Sequence, residues 1–174
     1  DCLDDAWHVY QHKRDSIMFT PPSIVALKAR CLLAMSQLEK AEYIINQLGS
    51  ETINAVPLNY EDINLTKARI FMEKGNEELA LEMLKRIIEQ AGSMHHIYNL
   101  IQALNIKAIC LYQTQDIEAA SEAIKQSLQL ASQDGFISVY ANETKAILRV
   151  LALGADPSLP DAYLQKLTHN LGLH

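Results

Sequence analysis

Chemistry that needs several side chains at one point has few starting places in this sequence. His95 and His96 are adjacent. Neighbours on a helix point about 100° apart, so they are poorly placed to share a metal, and a solvated loop or helix start is the better reading. His8 and His12 form an i, i+4 pair with better geometry, but they stand at the start of the chain with no spaced Asp, Glu or Cys set to complete a ligand shell. Cys2, Cys31 and Cys110 are odd in number and lack metal-type spacing, which reads as free thiols in a reducing compartment. No Ser-His-Asp, Cys-His or paired-carboxylate constellation can be assembled, and no GxxxxGK[ST] phosphate loop occurs. These residues predict a segment that is not an enzyme and carries no cofactor.

The totals narrow the partners. Apolar residues make up 49% of the 174 and charged residues 21%, an ordinary globular balance. The net charge of -6 argues against direct nucleic-acid binding, which needs clustered Lys and Arg. No apolar run approaches the roughly 18 residues that would span a bilayer, and no signal peptide opens the chain, so a cytoplasmic location is expected. The opening "DCLDDAW", without Met, reads as a piece of a larger protein.

A repeat must position whatever function remains. "KARCLLAMSQLEKA" (28–41), "KARIFMEKGNEELA" (67–80) and "KAICLYQTQDIEAA" (107–120) share one pattern at a period near 40. Counting back from the closing Ala41, Ala80 and Ala120, the twelfth residue is Ala29, Ala68 or Ala108, and the ninth is Leu32, Phe71 or Leu111. Residues three apart share a face, so these mark a first helix. Ala41 with Ile45, Ala80 with Leu84 and Ala120 with Ile124 mark a second; Leu48 and Ile87 extend that face, and Ser127 breaks it in the third copy. Small residues let antiparallel helices cross closely, and large apolar neighbours fill the flanks. The turns "SQLE", "GNEE" and "QDIE" join the helices, with Gly75 closing one helix and Asn76 and Asp116 as N-caps.

The reading is all-α: a single domain over 1–174, forming a right-handed solenoid of antiparallel pairs with about nine helices and no convincing strand. It divides into a half repeat at 1–20, with Ala6 and Tyr10 at the seam positions, repeats at 21–55, 56–93 and 94–134, and terminal helices at 135–174. "TPPS" (20–23) and "NAVPLN" (54–59) are connectors. Phe136–Leu153 is expected as one further first helix, and Leu159–Gly172 as a short last one, with Gly135, Gly154 and Gly172 at element ends.

First helices line the concave wall of such a solenoid. The groove-facing offsets, fifteen, eleven, eight and seven residues before the closing Ala, select Ala26, Arg30, Leu33 and Ala34, then Leu65, Arg69, Met72 and Glu73, then Asn105, Ile109, Tyr112 and Gln113. The candidate ligand or partner surface is Arg30, Leu65, Arg69, Glu73, Asn105, Tyr112 and Gln113: guanidiniums, a carboxylate, a phenol and amides on one wall. A solvated wall with internal ion pairs is the competing reading. Lys28, Lys67 and Lys107 flank the seam, where snorkelling stems account for them and a ligand-facing role is the alternative.

The small-residue turn followed by "xxEAxxxL" resembles the grammar of tetratricopeptide (TPR) repeats, at a longer period than their usual ~34 residues. "LTKARIFMEKGNEELALEMLKRIIEQA" with "LIQALNIKAICLYQTQDIEAASEAIKQSLQLASQDGFISVYAN" resembles, more narrowly, the helical-repeat domain of MalT-type (large ATP-binding LuxR-like) bacterial transcriptional regulators. The closing line "LQLASQDGFISVY" and the later "AYLQKL" follow that pattern too. Ser36 and Gln115 depart from its turn Gly, and Asn142 with Glu143 match an acidic-Gly pair only loosely. The resemblance implies a sensor and coupling segment. A small-molecule inducer or a protein or peptide partner would sit in the groove, and nucleotide-binding and helix-turn-helix domains of the same chain would lie outside this piece. A TPR-type scaffold for protein partners, with no small-molecule ligand, is the alternative.

Overall fold

The computed structural model describes residues 21–47, 61–141, 143, 146–154 and 159–172. Nine α-helices and no strand occur among the described residues: α1 Pro21–Ala34, α2 Leu38–Asn46, α3 Glu61–Glu73, α4 Glu77–Ser93, α5 Ile97–Gln113, α6 Ile117–Asp134, α7 Ser138–Ala141, α8 Ala146–Leu151 and α9 Asp161–Asn170. A 3-10 turn at Ala152–Gly154 separates the last two. The half repeat at 1–20 and the connector at 54–59 lie outside the described residues, and with them His8, His12 and Cys2. The other expected connector, Thr20–Ser23, becomes helix from Pro21 onward. Proline is tolerated in a first turn because the N–H it lacks would have had no intrahelical partner there.

The helix ends repeat one backbone device. Ser36, Gly75, His95, Gln115 and Gly135 all have φ between 57° and 72°. In four of these turns the next residue's amide reaches back to a carbonyl in the helix's last turn: Gln37 to Leu32 at 2.8 Å, His96 to Ala91 at 2.9 Å, Asp116 to Leu111 at 3.0 Å and Phe136 to Ala131 at 2.9 Å. This left-handed closure satisfies carbonyls that a helix terminus leaves over. Asp116 also caps α6, its carboxylate accepting from the Ala119 amide at 3.1 Å. Asn76 stands at the matching position before α4 but makes no side-chain cap bond, so that expectation holds only for Asp116.

The chain divides into two compact units between Gly75 and Asn76, inside the second expected repeat. In the first, α1 packs on α2 and α3, and α2 also meets α3. Val25, Ala26, Ala29, Ala41, Ile45, Ile63 and Ile70 form the core there, with Leu32, Leu33, Leu38 and Ile44 packed against it. The seam alanines Ala29 and Ala41 are wholly buried, which fits a close crossing. Lys74 pairs with Glu42 at 2.6 Å on the surface, an interaction that contributes at most about 1 kcal/mol.

In the second unit α5 is the central helix, packed on α4, α6, α7 and α8. Every residue from Leu100 to Leu111 is buried except Lys107. Phe136–Leu153, expected as one helix, is instead α7, α8 and a 3-10 turn. Four consecutive polar residues, Asn142–Lys145, interrupt its apolar pattern for a full turn and offer nothing to bury. Gly154 ends the segment by close approach rather than by a special dihedral: a Cβ there would lie 2.8 Å from Leu128 Cδ1 and 2.9 Å from Ile124 Cγ2. Ser121 Oγ, donating to the Leu153 carbonyl at 3.0 Å, ties the same turn to α6.

Candidate functional site

The expected concave surface separates into two groups, one in each unit. Arg30, on α1, is half-buried, as is Arg69 on α3, and Glu73 is exposed at the end of α3. Leu65 is buried in the interior. In the second unit, Tyr112 is half-buried, Gln113 is exposed, and Asn105 is wholly buried. The offset shared by Leu65 and Asn105 also holds Ala26, and all three are interior. The reason is helical geometry. Position minus fifteen lies three residues from the packing Ala at minus twelve, and residues three apart share a face. It therefore belongs to the seam and not to a groove wall. Lys28, Lys67 and Lys107 are each half-buried, consistent with stems along the packed surface, and burial lowers the Lys67 ammonium below its ordinary pKa.

What the fold does assemble is a buried polar cluster. Ser127 Oγ on α6 donates to Asn105 Oδ1 on α5 at 2.6 Å and lies 3.0 Å from the Tyr140 hydroxyl on α7. Tyr140 is fully buried, and the Tyr163 phenol of α9 stands close enough to bear on its charge. Tyr163 donates to the Phe136 carbonyl at 2.8 Å. Phe136 meets Tyr98 edge to face, with ring centroids 5.6 Å apart. Burial raises both phenols, Tyr140 far above its ordinary pKa, so both stay neutral and keep their protons for hydrogen bonding. Asn105 Nδ2 is buried with no hydrogen-bond partner. The sequence carried a signal for this cluster: Ser127 interrupts an apolar face, and Asn105 interrupts the run "LIQALNIKAICL". Two polar residues at interior positions of packed helices need each other.

The remaining candidates disperse. His95 is exposed in its turn, His96 is half-buried at the start of α5, and no group of three or more His, Cys, Asp or Glu suited to a metal occurs among the described residues. Cys31 is exposed. Cys110 is buried, and its thiol is pushed up to about 11 by that burial first and by the Glu77 carboxylate second. An open trough of about 790 Å³ runs beside the first half of α6, where Ile117 and Leu153 sit among Asp116, Glu118, Glu122 and Lys125. No described helix is long and apolar enough to cross a membrane. No family model matches the sequence, and neither the curated proteins nor the solved structures give a match.

Proposed function

We propose that the chain is a TPR-like helical-repeat module, a right-handed solenoid of antiparallel pairs that serves as the sensor and coupling segment of a MalT-type transcriptional regulator. One observation supports the repeat reading above the rest. Ser36, Gly75 and Gln115 each take a positive φ at the same register, seven residues after a fully buried alanine (Ala29, Ala68, Ala108) and five before another (Ala41, Ala80, Ala120). A fully buried alanine stands at a fixed distance on each side of a left-handed turn, three times. Chance composition has no reason to place backbone and packing features together in this way. The regulator part of the proposal rests on the sequence resemblance and carries a cytoplasmic location with it.

In this reading the half-buried Arg30 and Arg69 are the groups that meet an effector. A guanidinium presents a planar fork of donors to a carboxylate, phosphate or sugar hydroxyl. An effector signals only if it binds one conformation of the module better than another, so the coupling is the difference between those two affinities. Thermal-shift titration of the chain with sugars, nucleotides and carboxylic acids tests it. A ligand at 100 times its Kd contributes about 2.7 kcal/mol, which for a chain of this size raises Tm by about 5–10 °C. Arg69→Ala should abolish that shift while leaving the unliganded Tm within about 2 °C. If no compound in these classes shifts Tm, the sensor reading fails.

The scaffold reading has its own observation. On α1, Leu27, Cys31, Ala34 and Met35 are spaced i, i+4, i+7 and i+8, and all are exposed, with Tyr43 of α2 also exposed. An apolar stripe of this kind suits a helix laid along it. Capture of amphipathic peptides, lost in Met35→Asp, would favour this function over small-molecule sensing.

A further inference from the structure

We propose that α9 is a releasable strap, closed over the Phe136–Tyr140 segment by Tyr163 and able to lift off as a unit while α5 and α6 stay folded. Ten residues make about three turns, too few for a helix to persist on its own in water. Pro160 precedes α9 and offers no side-chain cap. Seven of its ten residues are exposed, so attachment falls to Tyr163 and Leu167, with Leu159 just before the helix. α5, by contrast, is packed on four other elements.

The hydrogen bonds are arranged so that release strands nothing in the interior. Tyr163 Oη bonds outward to the Phe136 carbonyl, while a separate inner set of bonds joins Tyr140 through Ser127 to Asn105. When α9 lifts, the Tyr163 hydroxyl and the Phe136 carbonyl both pass to water, while Tyr140 keeps Ser127. A break on the inner side, between Tyr140 and Ser127, would leave a fully buried hydroxyl with one partner fewer, which costs much more. The interior bonds therefore stay intact when the Tyr163–Phe136 bond, at the start of α9, opens. Release opens the Phe136 carbonyl to solvent, next to the edge-on Tyr98, whose own ring is already partly exposed. The strap stands independently of the repeat-module reading, since it uses only contacts within the second unit.

Native-state hydrogen exchange on the whole chain, followed across a series of low urea concentrations, tests the strap. The α9 amides from Leu164 to Asn170 are expected to exchange through an opening with little urea dependence, and the α5 amides from Ile101 to Ile109 through one with the full dependence of global unfolding. Tyr163→Phe keeps the ring and removes the hydroxyl; it should speed exchange in α9 about tenfold and leave α5 unchanged. Leu167→Asp should release α9 while α5 keeps its protection. The strap is overturned if α9 and α5 share one urea dependence, if Tyr163→Phe speeds both alike, or if Leu167→Asp removes α5 protection.

Discussion

α1 and α5 occupy the same place in the repeat, yet they meet different surroundings. Each carries a seam alanine, Ala29 or Ala108, wholly buried. Around that shared feature α5 is covered almost on every side from Leu100 to Leu111, whereas α1 leaves Leu27, Cys31, Ala34 and Met35 in solvent. Composition does not account for the difference. α5 carries Gln102, Asn105 and Lys107 in an otherwise apolar stretch from Leu100 to Leu111, while α1 is just as apolar, with only Ser23, Lys28 and Arg30 polar. A repeat pattern thus specifies the one seam that every copy must form. How many further faces are buried depends on what each copy packs against, and offsets alone do not carry that information.

The sharpest way to break the comparison is to place a charge where α5 tolerates none. Asn105 is wholly buried and bonded to Ser127. Asn105→Asp preserves shape, so its effect isolates charge. An uncompensated buried carboxylate is expected to cost about 3–5 kcal/mol at neutral pH. Burial raises the folded-state pKa above the unfolded value of about 3.9. The penalty is therefore fully present above the folded pKa, shrinks as pH falls, and is absent below about 3.9. Urea midpoints for both proteins at several pH values would show the gap closing on the acid side. A constant gap would mean that the site is wetter than its burial indicates.

Next in size is overpacking. Ala108→Leu inserts three carbons beside α4 and α6 and should cost about 1–3 kcal/mol. Leu27→Ala on the exposed stripe of α1 should stay within about 0.5 kcal/mol. Equal losses would erase the distinction between the two helices.

Legibility in the sequence follows the same division. The helices themselves, the seam alanines and the turn at Gly75 could be read because each depends on residues close in sequence. So could α9, from Pro160 and the apolar spacing after it. The candidate surface was read with less success. Leu65 and Asn105 sit three residues from the seam alanine and so turn inward, and a consistent helical wheel would have placed them there. Phe136–Leu153 was divided by a polar stretch whose effect depends on what Tyr140 and Gly154 approach. Those partners, Ser127, Ile124 and Leu128, come from another helix, and one sequence does not announce such pairings.

The two thiols extend the comparison to pH. Cys110 on α5 is buried with its thiol raised to about 11 from an ordinary 9.0, while Cys31 on α1 is exposed. A folded pKa above the unfolded one keeps the proton on longer in the native state. That stabilisation is complete below pH 9.0 and is lost as pH rises through about 11. Tyr140 and Tyr163, also raised by burial, act in the same direction at still higher pH. Lys67, lowered by burial, opposes them, because a base that binds its proton less tightly when folded gains stability as pH rises toward 10.5. The Cys110 shift is the large one acting in this range, so the urea midpoint is expected to be lower at pH 10.5 than at pH 8. Labelling at pH 8 should modify Cys31 on mixing and Cys110 only on unfolding.

The smallest expected effect is also the most local, and it asks whether the turns closing α1 and α5 are equivalent despite their different surroundings. Ser36 and Gln115 hold φ of 58° and 66°, where Gly75 holds 71° in the middle copy. A side chain with a Cβ costs about 1–2 kcal/mol in this region, partly offset because Gly loses more freedom on folding. Ser36→Gly and Gln115→Gly should each stabilise by about 0.5–1 kcal/mol, and Gly75→Ala should destabilise by a similar amount. No heavy atom lies within 4 Å of a Cβ built on Gly75, so the Ala variant would report backbone strain alone. If Ser36→Gly and Gln115→Gly gain equally, the turn is an autonomous element of the repeat. A gain at Ser36 without one at Gln115 would mean that the packing around α5 already holds its turn in place.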